Sequence, residues 1–237
     1  EFVDAADGGT FEVYNPYDNS LLANVAEAKH EDIDRAVTAA RNAFPAWAGM
    51  APSDRGVLIG KLADAIEKDR DNIALIESLD TGHPIRDTHN LDVLRTVATY
   101  RYFAGMPDKN EGTVIPVDPG FLNYVQRVPV GVVGQIVPWN FPLMFTSWKL
   151  GPALAAGNTV VMKQAELTPL STLRVAELAR EVGFPPGVIN IVPGFGHTAG
   201  QYMAEHPGIN KISFTGSTVT GRKIVEASAG NLKRVQL

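Results

Sequence analysis

Gly157-Asn158-Thr159-Val160-Val161-Met162-Lys163-Gln164-Ala165-Glu166 is the stretch whose reading decides the fold. Its centre, Thr159 to Met162, is short, rich in β-branched residues and apolar at consecutive positions, as a strand buried on both faces requires. The glycine and asparagine before it and the polar residues after it mark its two ends. Such strands belong to parallel sheets covered by helices on both sides, and parallel strands need long crossovers between them.

The chain on either side supplies those crossovers. Gly131 to Val137 reads as a second buried strand, joined to the first by a helix near Leu143 to Ala155. Downstream, the spacing predicts a helix at Leu170 to Val182, a strand at Val188 to Val192 and a helix after His197. A strand at Lys211 to Phe214, a helix at Ser217 to Ala229 and an extended piece at Arg234 to Leu237 follow. The fold class is therefore α/β, a parallel sheet with flanking helices.

Upstream the character is helical after two short extended pieces, Phe11 to Tyr14 and Leu21 to Val25. His30 to Phe44 sets Ile33, Val37, Ala40 and Phe44 three and four apart, the period of one buried helical face, and Pro45 is expected to end that helix. One helical region from Ser53 carries Leu58, Leu62, Ile66, Ile73 and Ile76 up to Thr81-Gly82, and a third helix spans Ile85 to Phe103 with Tyr100, Tyr102 and Phe103 as packing residues. Thr113 to Val117 and Phe121 to Val130 read as a hairpin about the turn Asp118-Pro119-Gly120. The resulting division is a helical first part (1–112), a hairpin (113–130) and a sheet-forming part (131–237).

Composition narrows the function classes. In 237 residues, 45% hydrophobic and 20% charged with a net charge of -5, the 21 Lys and Arg are scattered, which argues against a nucleic-acid partner. There is no cysteine, so disulfides and thiolate metal sites are excluded in this chain, and no metal is expected. Val128 to Trp148 is uncharged and long enough to span a bilayer, but Pro129, Pro138, Pro142, Gly131, Gly134, Gln135 and Asn140 interrupt it, so no membrane segment is expected. Glu1 to Thr10 lacks the pattern of a secretory signal, and a cytoplasmic location is the expectation.

In open parallel sheets, ligands bind beyond the carboxyl ends of the strands. Here those ends run into Pro138-Trp139-Asn140-Phe141-Pro142, Lys163-Gln164-Ala165-Glu166, Pro193-Gly194-Phe195-Gly196 and Thr215-Gly216-Ser217-Thr218. Gly194, Gly196 and Gly200 are spaced one residue too far for the usual dinucleotide fingerprint, so a plain turn outweighs phosphate binding there. Ser217 is better placed: it can cap the next helix, whose amino end offers donors and partial positive charge to a phosphate.

Taken together, Pro138-Trp139-Asn140-Phe141-Pro142-Leu143, Trp148-Lys149, Pro152-Ala153-Leu154, Gly157-Asn158-Thr159, Lys163 with Glu166, and Phe214-Thr215-Gly216-Ser217 with Gly221 give the chain a resemblance to the aldehyde dehydrogenase superfamily over essentially its whole length. The resemblance implies a Rossmann-like cofactor-binding domain with Lys163 and Glu166 on the adenosine ribose and Ser217 on the pyrophosphate. Ile136, Pro138, Trp139, Gly196, Gly200, Phe214, Gly216 and Gly221 complete the implied cofactor site. A carboxylate at Glu166 would repel a 2′-phosphate, so NAD is favoured over NADP. Gln164 departs from the family pattern, where proline commonly follows the lysine, and a looser loop is expected.

Asn140 is implied as the donor to the developing oxyanion, the alternative being a loop asparagine that satisfies backbone groups. Lys149 is implied to tune protonation near the active site, with a snorkelling helix lysine as the equal alternative. Phe141, Met144, Phe145 and Trp148 resemble the wall of an aldehyde tunnel and can equally be core.

The implied activity is NAD-dependent oxidation of an aldehyde to a carboxylic acid through a thiohemiacetal and a thioester, in a homo-oligomer when complete. The chain contains neither a cysteine nucleophile nor, on the family pattern, the general-base glutamate. It is expected to be a piece of a longer enzyme, inactive by itself. The competing readings are a non-catalytic nucleotide-binding or interaction module, and a structural half that pairs with a second chain carrying the cysteine.

Overall fold

The computed structural model describes residues 2–237. Its organising element is a five-stranded, wholly parallel sheet in the order β7-β6-β5-β8-β9, formed by β5 (Val132–Ile136), β6 (Thr159–Lys163), β7 (Ile189–Ile191), β8 (Lys211–Phe214) and β9 (Arg234–Gln236). All residues of β5 and β6 are buried, so the consecutive apolar run at Thr159 to Met162 reflects cover on both faces. Alternate residues of β6 point opposite ways: Val160 and Met162 enter one core, Val161 the other.

The first core lies under α2 (Pro52–Lys68), α3 (Arg70–Thr81), α5 (Val93–Ala104), α6 (Pro142–Ala155) and α7 (Leu170–Glu181). The second lies under α1 (His30–Gly49), α8 (Gln201–Glu205) and α9 (Thr218–Ser228). The amino-terminal helices therefore divide between the two faces, α2, α3 and α5 joining α6 and α7 on one and α1 covering the other. Two antiparallel pairs stand apart from it: β1 (Thr10–Tyr14) with β2 (Leu21–Ala26), and β3 (Thr113–Ile115) with β4 (Asn123–Val125).

Several expectations need correction. Pro45 does not end α1, which continues to Gly49 with the proline inside. Proline there removes the hydrogen bond to the Arg41 carbonyl and costs about 3 kcal/mol. Beyond it, however, Trp47 is fully buried and its ring lies 5.6 Å from that of Phe184. Burying a surface of that size stabilises by about 4 kcal/mol, enough to carry the helix past the proline.

The region from Ser53 to Gly82 is two helices, not one. The chain breaks at Asp69, whose carboxylate accepts from Arg174 Nε at 2.7 Å on α7, and the break lets Ile66 and Ile73 both face the core. Gly82 closes α3 as expected, at φ +77. The helix from Ile85 begins as α4 (Ile85–Asp87), passes through a π turn at Thr88–Asp92 and continues as α5. Of its aromatics, Tyr100 is fully buried, but Tyr102 is 63% exposed and touches Phe103 edge-on, so it is not a core residue. The hairpin exists with shorter strands than expected, three residues each, because both of its faces are exposed and nothing packs on its flanks to hold longer ladders.

No helix among the described residues is long and apolar enough to cross a membrane.

Candidate functional site

The carboxyl ends of β5, β6 and β8 are locked side by side. Ile136 pairs in register with Lys163 on one side and Phe214 on the other, and the ladder extends beyond them through Val137 N–H to Lys163 O (3.1 Å) and Thr215 N–H to Ile136 O (3.0 Å). This register brings the Pro138 to Asn140 segment, the Lys163 to Glu166 segment and the Thr215 to Ser217 segment to one rim of the sheet. At the opposite end, Asn158 Oδ1 accepts from the Val130 and Gly131 amides (2.7 and 3.1 Å) and Asn210 Oδ1 from Val132 (2.9 Å), fixing where β5 starts.

Lys163 is buried, with its ammonium 3.0 Å from Glu166 Oε2, whose own side chain reaches solvent. The pair is not a solvated loop contact. Burial lowers the Lys163 pKa, and the Glu166 carboxylate opposes that effect. Gly200 lies over the lysine stem, where a Cβ would approach Lys163 Cδ to 3.7 Å, whereas Gly196 faces open space. Only the first of these two glycines joins the cluster. Gln164 is fully enclosed, with both amide atoms lacking hydrogen-bond partners.

Across β5 from this pair, Phe214, Thr215, Gly216, Ser217, Gly221 and Leu237 line a groove of about 550 Å³. Ser217 caps α9, its Oγ accepting from the Thr220 amide at 3.2 Å. Gly221 leaves room over Leu237 and Phe214, which a Cβ would meet at 3.4 and 3.8 Å. A larger groove, about 670 Å³, runs between β2, α1, α7 and β7; it takes in Pro193 but none of the residues assigned to the cofactor, the oxyanion or the aldehyde.

Asn140 sits in the irregular segment before α6, half-buried, with Oδ1 enclosed and unpartnered. Pro138 is likewise half-buried and Trp139 is 58% exposed, its carbonyl accepting from Thr168 Oγ1 at 3.3 Å. The four aromatic or sulfur-bearing residues that follow divide. Met144 is buried and Phe145 packs against the first core, while Trp148 remains 48% exposed, edge-on to Phe145 at 5.1 Å. Phe141 is half-buried against the His83 ring.

Lys149 does not snorkel. It is buried under β5 and β8, where its Nζ donates to Ser213 Oγ at 2.9 Å and its backbone carbonyl accepts from Gln135 Nε2 at 2.7 Å. Burial, reinforced by the nearby Lys211 charge, brings its pKa down to about 8. Among the described residues no hydrogen bond joins Lys149 to Asn140, and no group of His, Asp and Glu side chains is arranged to hold a metal ion.

The sequence reading missed a buried acid beneath the Asn140 segment. Glu77 on α3 is fully buried and accepts from the Leu143 amide at 3.3 Å; burial, with the Asp92 and Asp80 charges nearby, pushes its pKa up to about 8. Asp80, one turn on, similarly accepts from the Leu170 amide at the start of α7 (2.8 Å). The available signal was an acid at helical spacing from Ile73 and Ala74, on the buried face of α3.

A doubly wound parallel sheet with its polar and glycine-bearing loops gathered at one rim defines an α/β protein of the kind that binds ligands at strand ends. The chain belongs to the aldehyde dehydrogenase family, whose pattern matches residues 2–237. It is 52% identical over 241 residues to the mitochondrial aldehyde dehydrogenase of Homo sapiens and 51% identical over 239 residues to the aldehyde dehydrogenase of Alternaria alternata. Those alignments take in 100% of this chain but 47% and 48% of the relatives, so the chain spans about half their length. The crystal structure of PnpE from Pseudomonas sp. WBC-3 superposes with a TM-score of 0.99 at 65% identity, covering 100% of this chain and 49% of that one; PnpE is also known in complex with nicotinamide adenine dinucleotide.

Proposed function

We propose that this chain provides the NAD-binding and oxyanion-stabilising part of an enzyme that oxidises an aldehyde to a carboxylic acid. The observation that carries this reading is the convergence, on one rim, of the Asn140 segment, the Lys163–Glu166 pair and the Ser217-capped start of α9. The rim suits a dinucleotide: an ammonium and a carboxylate that can satisfy vicinal hydroxyls stand across β5 from a groove lined by Phe214, Ser217, Gly221 and Leu237. Lys163 and Glu166 would hold the ribose, and Ser217 with the amides of the first turn of α9 the pyrophosphate. NAD, when bound, supplies the hydride acceptor.

The chain's own residues then have separable tasks. The Asn140 amide donates to the aldehyde oxygen as negative charge grows on it. Phe141, Phe145 and Trp148 exclude water and orient the aldehyde, with Trp148 exposed enough to meet it and Met144 buried behind them. Lys149 holds or releases a proton beneath the strand ends. A thiol nucleophile and a base for hydrolysis are required in addition, and with no cysteine in the chain the thiol comes from sequence outside these 237 residues.

We assign residues 1–112 and 131–237 to the cofactor-binding unit and 113–130 to subunit contact. The hairpin exposes Val114, Phe121, Leu122, Tyr124 and Val125, an apolar surface suited to a second copy of the protein. The test of the central reading is titration of the 237-residue chain with NAD and NADP by calorimetry, followed by assay with a panel of aldehydes. Saturable NAD binding without NADH formation is expected; aldehyde turnover by the cysteine-free chain, or no nucleotide binding, would overturn it.

A further inference from the structure

α6 starts without a cap of its own. Phe141, at the N-cap position, has no side-chain acceptor, and Pro142 has no N–H, so the first amide of the helix is that of Leu143, which is buried. A buried amide without a partner costs roughly 1–3 kcal/mol. Glu77 accepts from it at 3.3 Å, acting as a cap delivered from α3, 66 positions earlier in the chain.

Phe141 is held by the same part of the chain. The His83 ring meets it edge-on, with centroids 5.0 Å apart and planes at 60°. His83 is itself tied down: its Nδ1 lies 2.9 Å from Asp92 Oδ2, its amide donates to Thr81 Oγ1 at 3.1 Å, and its carbonyl accepts from Ser78 Oγ at 2.7 Å. Asp92 is 1% exposed and sits in the π turn, which aims it back at the Gly82 bend. Thr81 Oγ1 donates to the Glu77 carbonyl at 2.6 Å, so Glu77 and His83 form one bonded unit.

Asn140 immediately precedes Phe141 and lies three positions before Leu143, the two residues so held. Its Oδ1 is enclosed without a hydrogen-bond partner, so no bond to that oxygen orients the amide, and its placement depends on the backbone that carries it and the packing around it. We propose that Glu77 and His83 are positioning residues for the Asn140 amide, gripping the backbone at Leu143 and the ring at Phe141 so that the amide points at the reacting oxygen. The inference rests on the reading of Asn140 as the oxyanion donor.

The experiment uses the complete enzyme with Glu77→Leu, Glu77→Gln and His83→Ala, each alone and with Asn140→Ala. Pre-steady-state acylation, NAD affinity by fluorescence and the hydrogen exchange of the Leu143 amide are measured. Glu77→Leu is expected to slow acylation about 10-fold or more, out of the roughly 100-fold or greater effect of removing an oxyanion donor, with NAD affinity unchanged and Leu143 exchange accelerated. Glu77→Gln, which keeps an accepting carbonyl, restores both readouts. His83→Ala, at a partly exposed position, slows acylation without accelerating Leu143 exchange. In the Asn140→Ala background neither change slows acylation further, because residues acting through one group are not additive. Parent-like acylation in both Glu77→Leu and His83→Ala overturns the proposal, as does an equal loss of NAD affinity and acylation. If Glu77→Leu does not fold, His83→Ala and its double variant decide. Parent-like acylation in Asn140→Ala alone instead sinks the oxyanion assignment, a failure distinct from that of the positioning residues.

Discussion

Lys149 Nζ donates to Ser213 Oγ at 2.9 Å, tying the middle of α6 to β8 across the buried face of β5. A lysine in that setting gives up hydration for a single hydroxyl partner, which is why burial dominates and its pKa falls to about 8. The unfolded chain holds that proton up to about 10.5. Below pH 8 both states are charged and the folded protein bears the full desolvation cost, on the order of 3 kcal/mol. Between pH 8 and 10.5 the unfolded state binds more protons, so the Lys149 contribution to stability rises with pH. Lys149→Met is therefore expected to raise Tm at pH 7, the gain shrinking towards pH 10.5. A difference between variant and parent that stays constant over that range would show that Lys149 does not titrate in the folded state.

Asn140→Ala tests the oxyanion assignment directly. On that assignment the amide acts on charge that develops only as the carbonyl is attacked, so the complete enzyme should lose roughly 100-fold or more in acylation rate, about 3 kcal/mol. NAD affinity should change little, because the Lys163–Glu166 pair and the start of α9 are untouched. Stopped-flow acylation at the parent rate would leave Asn140 a structural residue.

What the sequence disclosed and what it withheld follow from how far each cause reaches. β8 was legible to the residue and β6 to within one, because burial on both faces marks nearly every position of the strand. The Ser217 cap was legible because a cap is a local bond between neighbours in the chain. The passage of α1 through Pro45 was not: the reason is Trp47 meeting Phe184, more than a hundred residues away. The break at Asp69 similarly depends on Arg174. The same limit hid Glu77, whose partner at Leu143 shares no local pattern with it. A helix opening on Phe141-Pro142-Leu143 with no capping side chain did imply that a remote acceptor must exist, without naming it.

Gln164 provides a stability prediction. Its side chain is completely enclosed and neither amide atom has a hydrogen-bond partner, so it carries a desolvation cost with no return. Gln164→Met preserves length and volume and removes the polar atoms. A gain of about 1 kcal/mol is expected in urea unfolding, with the slope against denaturant unchanged. Loss of stability would mean that the amide is satisfied in solution, for instance by a trapped water, and that the enclosed site is polar by need.

The role proposed for Glu166 is to decide between the two nicotinamide dinucleotides. Its carboxylate is anchored by the buried Lys163 ammonium at 3.0 Å yet reaches solvent, so it is held in place while remaining able to meet a ligand. Against ribose hydroxyls it accepts hydrogen bonds; against a 2′-phosphate it sets like charges together, and discrimination of this kind works through repulsion of the wrong ligand. Glu166→Ser removes the repulsion and also frees the Lys163 ammonium, which then attracts a phosphate. Binding of NADP to the variant should tighten about 10-fold relative to NAD, equivalent to about 1.4 kcal/mol, while NAD itself weakens modestly. Glu166→Gln separates the two causes, since it loses the charge but keeps an acceptor: NAD affinity should survive while the rejection of NADP relaxes. Isothermal titrations with both nucleotides measure each quantity in the absence of turnover. An unchanged ratio in both variants would place the ribose elsewhere on the rim, and the Lys163–Glu166 pair would then serve only to tie the loop after β6.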